Sequence, residues 1–285
     1  MTDRNRALVL GGGGVTGIAW HTGLLLGLEE RGVDVSDCDL AIGTSAGATV
    51  AAQLTSGVPL SDLFERQVNP DRQVPELEPG IGSLRMLFRF LPVMLIRNDL
   101  DRLRKRMGRI AMRSATVAPE TRRQVIEQRL PRHEWPETAL TLAAIDAESG
   151  EERWLDAETG AGLVDAVAAS CAVPGVWPPV LIDGRHYYDG GIPSPDNATR
   201  ASGYGAVLIL SPMGGTKSGG LVERLAGEIA ALERSGSRTA AIVPDAATRA
   251  AIGRRVLDPS KRADAAKAGL EQGRRVASEL SEPWV

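Results

Sequence analysis

Two short stretches of this 285-residue chain hold side chains that could do covalent chemistry. Gly43-Thr44-Ser45-Ala46-Gly47 fits the G-x-S-x-G pattern. A serine on a sharp strand-to-helix turn needs small neighbours, here Gly43 and Gly47, and the turn lifts its hydroxyl above the sheet edge as a nucleophile for acyl esters. The helix that follows points its N-terminal dipole and the Ala46 N–H at any oxyanion that forms. The plainer reading is a glycine-rich turn in an Ala/Gly-rich chain. An apolar run before the turn and an Ala-rich run after it favour the nucleophile.

A serine hydroxyl needs a base. The three histidines serve poorly: His21 falls inside the first helix, His133 in a loop, His186 in a Tyr-rich strand, and none follows position 186. Asp189-Gly190-Gly191 offers a carboxylate instead. Placed directly after a strand ending at Tyr188, it can be held at the same sheet edge as Ser45, where partial desolvation raises its pKa and lets it accept the seryl proton. An ordinary Asp-Gly turn is an equal alternative for this motif alone.

The glycines of Gly11-Gly12-Gly13-Gly14-Val15-Thr16-Gly17 have two functional readings. One is a strip of backbone donors, Gly12 to Gly14, forming an oxyanion hole. The other is a dinucleotide fingerprint, Gly12-x-Gly14-x-x-Gly17, which would make the protein an NAD- or FAD-dependent oxidoreductase. A Rossmann fold needs an acid at the carboxyl end of its second strand. Here Asp39 begins that run and Gly43-Thr44-Ser45 ends it. No Gly-Lys-Ser/Thr follows the glycines, so a P-loop is excluded.

The elements that must position these groups alternate. Strands are expected at 6–10, 39–42, 139–145, 180–182, 186–188, 206–210 and 240–243. Helices are expected at 18–31, 48–55, 163–169, 221–233 and 263–280. Such alternation implies parallel strands with right-handed crossovers and one α/β domain over 1–285, with helices on both faces of a sheet. Residues 60–130 have no strand pattern and read as a helical, lid-like insertion. Leu84, Leu87, Phe88 and Leu91, then Leu100, Leu103, Met107 and Ile110, recur at helical spacing among Arg85, Arg89, Arg97, Arg102, Arg104, Lys105, Arg106, Arg109 and Arg113. A basic amphipathic segment over 85–113 can rest on an anionic membrane. A helical hairpin with a solvated arginine face is the competing reading.

Composition narrows the rest. Hydrophobic residues make up 43% of the chain, enough for a full core, and a net charge of −3 gives no global case for nucleic-acid binding. Cys38 and Cys171 are too few and too far apart for a disulfide framework and read as small buried hydrophobes. The histidines share no metal-ligand spacing. No targeting segment is visible, and the longest apolar region, Met86 to Ile96, is broken by Arg89 and Pro92, far short of the roughly 20 residues a span needs. A cytoplasmic protein, with peripheral membrane contact as an option, is expected.

Taken together, the glycine turn, the G-x-S-x-G and the D-G-G, in that order, resemble the patatin-like phospholipase family. Ala169-Ser170-Cys171-Ala172-Val173-Pro174-Gly175 with Trp177-Pro178-Pro179 is similar to the family's run before its aspartate, and Val243-Pro244-Asp245 adds to the likeness. The resemblance spans about residues 6 to 245. It implies a three-layer α/β/α sandwich with a mainly parallel sheet. It also implies a Ser45–Asp189 dyad without histidine, metal or cofactor, an acyl-Ser45 intermediate, and a lipid or other acyl-ester substrate. The family often has Arg or Lys where this chain has Thr16, so a charge-assisted contribution from that position is lost. A non-catalytic, membrane-associated member of the fold stays open as an alternative.

Overall fold

Residues 7–10 are apolar, contain no turn former and are fully buried in the first strand, β1 (Arg6–Leu10). The computed structural model describes residues 5–77, 99–192, 194–215, 220–280 and 284. After β1 come α1 (Gly14–Glu29), β2 (Leu40–Gly43), α2 (Ala46–Leu54), α3 (Leu60–Val68), α4 (Leu100–Arg113) and α5 (Pro119–Arg129). Then follow β3 (Ala139–Asp146), β4 (Glu152–Leu155), α6 (Leu163–Ser170), β5 (Val180–Ile182) and β6 (Arg185–Asp189). The chain continues through β7 (Ala206–Leu210), α7 (Leu221–Arg234), β8 (Arg238–Ile242), α8 (Ala246–Ile252) and α9 (Arg262–Val276).

The eight strands form one mixed sheet, with neighbours ordered β5-β6-β3-β2-β1-β7-β8 and β4 also paired to β3. The pairs β1–β2, β1–β7, β2–β3 and β7–β8 are parallel; β3–β4, β3–β6 and β5–β6 are antiparallel. The period-two pleat of the central strands sorts their side chains into two cores. Leu8, Leu10, Leu208 and Leu210 face α1, α2 and α9, while Ala7, Val9, Val207 and Ile209 face Leu225 and Leu232 of α7. Both faces of the central strands are thus covered, as the α/β alternation implied. Among the described residues, no helix is long and apolar enough to cross a membrane.

Three local readings are corrected. α1 starts at Gly14, four residues before the expected Ile18. β4 was not expected, because Glu152-Arg153-Trp154-Leu155 is half charged and has no apolar alternation; its hairpin with β3 supplies the pairing. α8 was also missed: it follows Val243-Pro244-Asp245, and Asp245 caps it by accepting the Thr248 N–H at 2.8 Å.

Between 60 and 130 the regular elements among the described residues are helices, and they pack closely on the rest. α3 lies against α1 and α9, α5 against α6, and α4 against β3 and β6. The apolar residues Leu84, Leu87, Phe88 and Leu91, with Arg85, Arg89 and Arg97, lie outside the described residues. On α4, Met107 and Ala111 are buried with Ile145 and Tyr188, whereas Leu100 stays exposed.

The register around β3 decides where the chemistry can be. Leu142 pairs with Gly43 of β2 and with Leu155 of β4, so those strands occupy opposite edges of β3. Ala144 pairs with Arg153 of β4 and with Asp189 of β6, so β6 also lies opposite β4. β2 and β6 therefore share one edge of β3. They run toward each other and end two residues apart along it, at Leu142 and Ala144.

Candidate active site

The turn after β2 holds Ser45 at φ 54° and ψ −115°, a backbone conformation an L-residue rarely adopts. Such a residue costs on the order of 1–3 kcal/mol and persists only where its surroundings over-determine it. Here they do. The Thr44 N–H donates to the Leu10 carbonyl at 3.0 Å. The Ser45 N–H donates to Ser170 Oγ at 3.0 Å, and the Cys171 thiol donates to the Ser45 carbonyl at 3.1 Å. A Cβ on Gly47 would sit 1.8 Å from the Leu10 carbonyl oxygen, so β1 admits only glycine there.

Asp189 ends β6, its N–H donating to the Ala172 carbonyl at 3.1 Å. A Cβ on Gly190 would lie 2.4 Å from the Ala143 backbone, which is the residue left between the two strand ends. The carboxylate is buried, and burial pushes its pKa up to about 6. The neighbouring Ser45 hydroxyl and the Gly191 N–H, the latter at 2.8 Å, offset part of that rise. Asn197, in the left-handed region at φ 53°, joins the two turns: its amide donates to Thr44 Oγ1 and to the Gly190 carbonyl, both at 3.1 Å. The structure therefore brings Ser45 and Asp189 together.

One carboxylate competes for attention. Asp196 is also buried, and its pKa is pushed up to about 7, first by burial. Its neighbours are Ser211 and Gly11, not Ser45. The histidines are elsewhere. His21 is buried in α1 with Nε2 3.1 Å from the Leu210 carbonyl, and burial pulls its pKa down to about 4. His133 binds the Glu127 carbonyl, and His186 faces Leu181 of β5 across a strand pair.

The glycine turn needs one correction. The Gly12 N–H, expected among the oxyanion donors, donates to the Pro195 carbonyl at 2.8 Å and is spent. Gly12 instead supplies closeness: a Cβ there would sit 3.5 Å from the Ser45 Cβ. Among the described residues, the N–H groups of Gly13, Gly14 and Ala46 have no carbonyl acceptor. Cβ atoms on Gly13 and Gly14 would meet Pro212 and the Val256 carbonyl at 2.7 and 2.6 Å. Neither position therefore has room for a side chain. Thr16 is turned into the fold, its N–H and hydroxyl both reaching the Val256 carbonyl.

Ser45 and Ala46 open into a narrow cavity whose walls include Val15, Ile18, Val173, Trp177 and Leu257 on the apolar side, and Glu76, Arg122 and Arg129 on the polar side. Sequence reasoning missed Ser170, Cys171 and Asn197 as parts of this site. All three lie in or near stretches singled out for their motifs, but their partners are 125, 126 and 153 residues away.

Comparisons with known proteins agree with one another. A family model described as patatin-like phospholipase matches residues 8–201. Uncharacterized NTE family proteins of Mycobacterium tuberculosis and Mycobacterium bovis are 28% identical over 218 residues, covering 75% of this chain and 50% of theirs. The chain thus spans about half the length of these curated relatives. Among solved structures, VipD from Legionella pneumophila aligns with a TM-score of 0.50 at 15% identity, over 97% of this chain and 67% of that one, a likeness of fold.

Proposed function

Because this chain belongs to the patatin-like phospholipase family, a family of lipid acyl hydrolases, we propose that it cleaves acyl esters of lipids with Ser45 as nucleophile and Asp189 as base. The observation that carries the reading is the buried Asp189 carboxylate facing the Ser45 hydroxyl, with a pKa near 6. At neutral pH it is ionised and able to take a proton, a match that general-base catalysis needs.

In the proposed sequence Ser45 Oγ attacks the ester carbonyl carbon and its proton passes to Asp189. The oxyanion is stabilised by the free N–H groups of Ala46, Gly13 and Gly14 at the N-termini of α2 and α1. Collapse breaks the ester C–O bond, and the departing alkoxide takes the proton from Asp189. Water then attacks acyl-Ser45, giving its proton to Asp189. The second collapse returns that proton to Ser45 Oγ and releases the fatty acid. The strained turn supports this role, since it exposes Oγ while its backbone is held from three sides.

Peripheral contact with anionic lipid is part of the same proposal. α4 turns Arg102, Lys105 and Arg109 to solvent, with Leu100 and Met112 exposed on the same helix.

The test of the nucleophile is labelling by a fluorophosphonate, with the modified peptide mapped by mass spectrometry. Wild type is expected to carry the adduct on Ser45, and Ser45→Ala to carry none. An adduct that persists in Ser45→Ala sinks the proposal.

A further inference from the structure

Beside Ser45, among the described residues, the fold buries more positive charge than it neutralises. Arg129 and Arg262 share Glu76, each bonding a different oxygen of its carboxylate, and the three side chains are 7, 7 and 5% exposed. One carboxylate thus answers two guanidiniums. A third, Arg122, sits seven residues before Arg129 on α5 and is 6% exposed. Among the described residues it has no carboxylate partner, and its Nη1 is buried without a hydrogen-bond acceptor. Its guanidinium carbon lies 4.0 Å from the centre of the Trp177 ring. Arg122, Trp177, Arg129 and Glu76 line the same cavity as Ser45 and Ala46.

That arrangement is costly as structure alone. A buried cation with an unmet donor is unfavourable, and a Leu or Met would fill the space at lower cost. Burial, with the charge of Arg129 adding to it, lowers the Arg122 pKa to about 10, which still leaves the side chain charged at neutral pH. The guanidinium fork suits a phosphate or carboxylate that brings two acceptors, and its seat over the Trp177 ring holds the cation against the cavity wall.

We propose that Arg122, braced by Trp177, is the anion-recognition residue of the Ser45 cavity and holds a phosphoryl group carried by the substrate next to its scissile ester. The proposal rests on the reading of Ser45 as nucleophile. Free phosphate would present the same chemistry, and the experiment separates the two sources.

The experiment uses 1-lauroylglycerol and 1-lauroylglycerol 3-phosphate, both below their critical micelle concentrations, so that chain and ester are matched. Wild type is expected to prefer the phosphorylated ester in kcat/KM. Arg122→Gln is expected to shrink that preference roughly tenfold or more, mainly through KM, the scale of one charge-assisted hydrogen bond. Arg122→Lys is expected to keep part of it. A preference that Arg122→Gln leaves unchanged overturns the proposal, as does an equal fall on both esters. Independently of any variant, inorganic phosphate is expected to slow fluorophosphonate labelling of wild-type Ser45 beyond what sodium chloride does at equal ionic strength. No such protection overturns the site. Protection without any preference between the two esters assigns the site to free anions and overturns the substrate claim. No labelling of Ser45 at all is instead the failure of the nucleophile reading, and the proposal falls with it.

Discussion

Asp189 illustrates what a proposed catalytic carboxylate costs its protein. Unfolded, it ionises near 3.8; folded, burial moves that to about 6. Between those values the folded chain binds a proton that the unfolded chain does not. Its contribution is therefore favourable below about pH 4 and is lost as pH rises through 6. At pH 7.5 the charged form costs on the order of 3 kcal/mol. Asp189→Asn removes the charge and keeps an acceptor for the Ser45 hydroxyl and the Gly191 N–H. It is expected to raise the Tm by several degrees at pH 7.5, with the gain gone at pH 4, as scanning calorimetry would read it. A lower Tm at pH 7.5 would mean that the ionised carboxylate is stabilising where it sits. Ser45 and Asp189 could be singled out from sequence because each lies in a short turn whose neighbours must be small. Asn197 and Ser170 could not, because nothing local says that an amide will bridge two turns or that a hydroxyl will take a backbone N–H more than a hundred residues away.

At the scale of elements, what was legible followed from period and punctuation. β1 and β7 fall at their expected residues because unbroken apolar runs, of four and five residues, are bounded by turns. Half-charged β4 escaped because an edge strand gains its pairing from a neighbour and not from its own pattern. α4 lies between these cases. Met107 and Ala111 turn inward as helical spacing requires, and Arg104 is tied to Glu152 and the Ile192 carbonyl, while Arg102, Lys105 and Arg109 face solvent. If those three hold the protein to anionic lipid, replacing all of them by Gln should weaken binding to phosphatidylserine-containing vesicles on the order of a hundredfold at low salt, about 1 kcal/mol per charge. Binding to phosphatidylcholine vesicles should not follow. Equal sedimentation of wild type and the triple variant with anionic vesicles would reduce the arginine face to a solvated surface.

For the whole molecule, the α/β class was readable in the alternation of strands and helices, and the order of the three motifs pointed to one family. The meeting of the motifs was not readable. It depends on β2 and β6 sharing an edge of β3, a register fixed by pairings across up to 99 residues, such as Leu40 to Ala139 and Ala144 to Asp189 along that one edge. Read locally, β6 is the second strand of a hairpin with β5, and only its place on β3 turns Asp189 toward Ser45. The same long-range assembly supplies the buried arginines: Arg129 and Arg262 are 133 positions apart in the chain yet meet on one carboxylate. The central claim is that a carboxylate, with no histidine, activates Ser45, and the pH dependence of Ser45 labelling by a fluorophosphonate tests it most directly. In wild type the labelling rate should climb about tenfold per pH unit below roughly 6 and level off above it, and in Asp189→Asn it should fall by at least a hundredfold and lose that inflection. A wild-type rate and inflection that survive in Asp189→Asn would contradict the dyad.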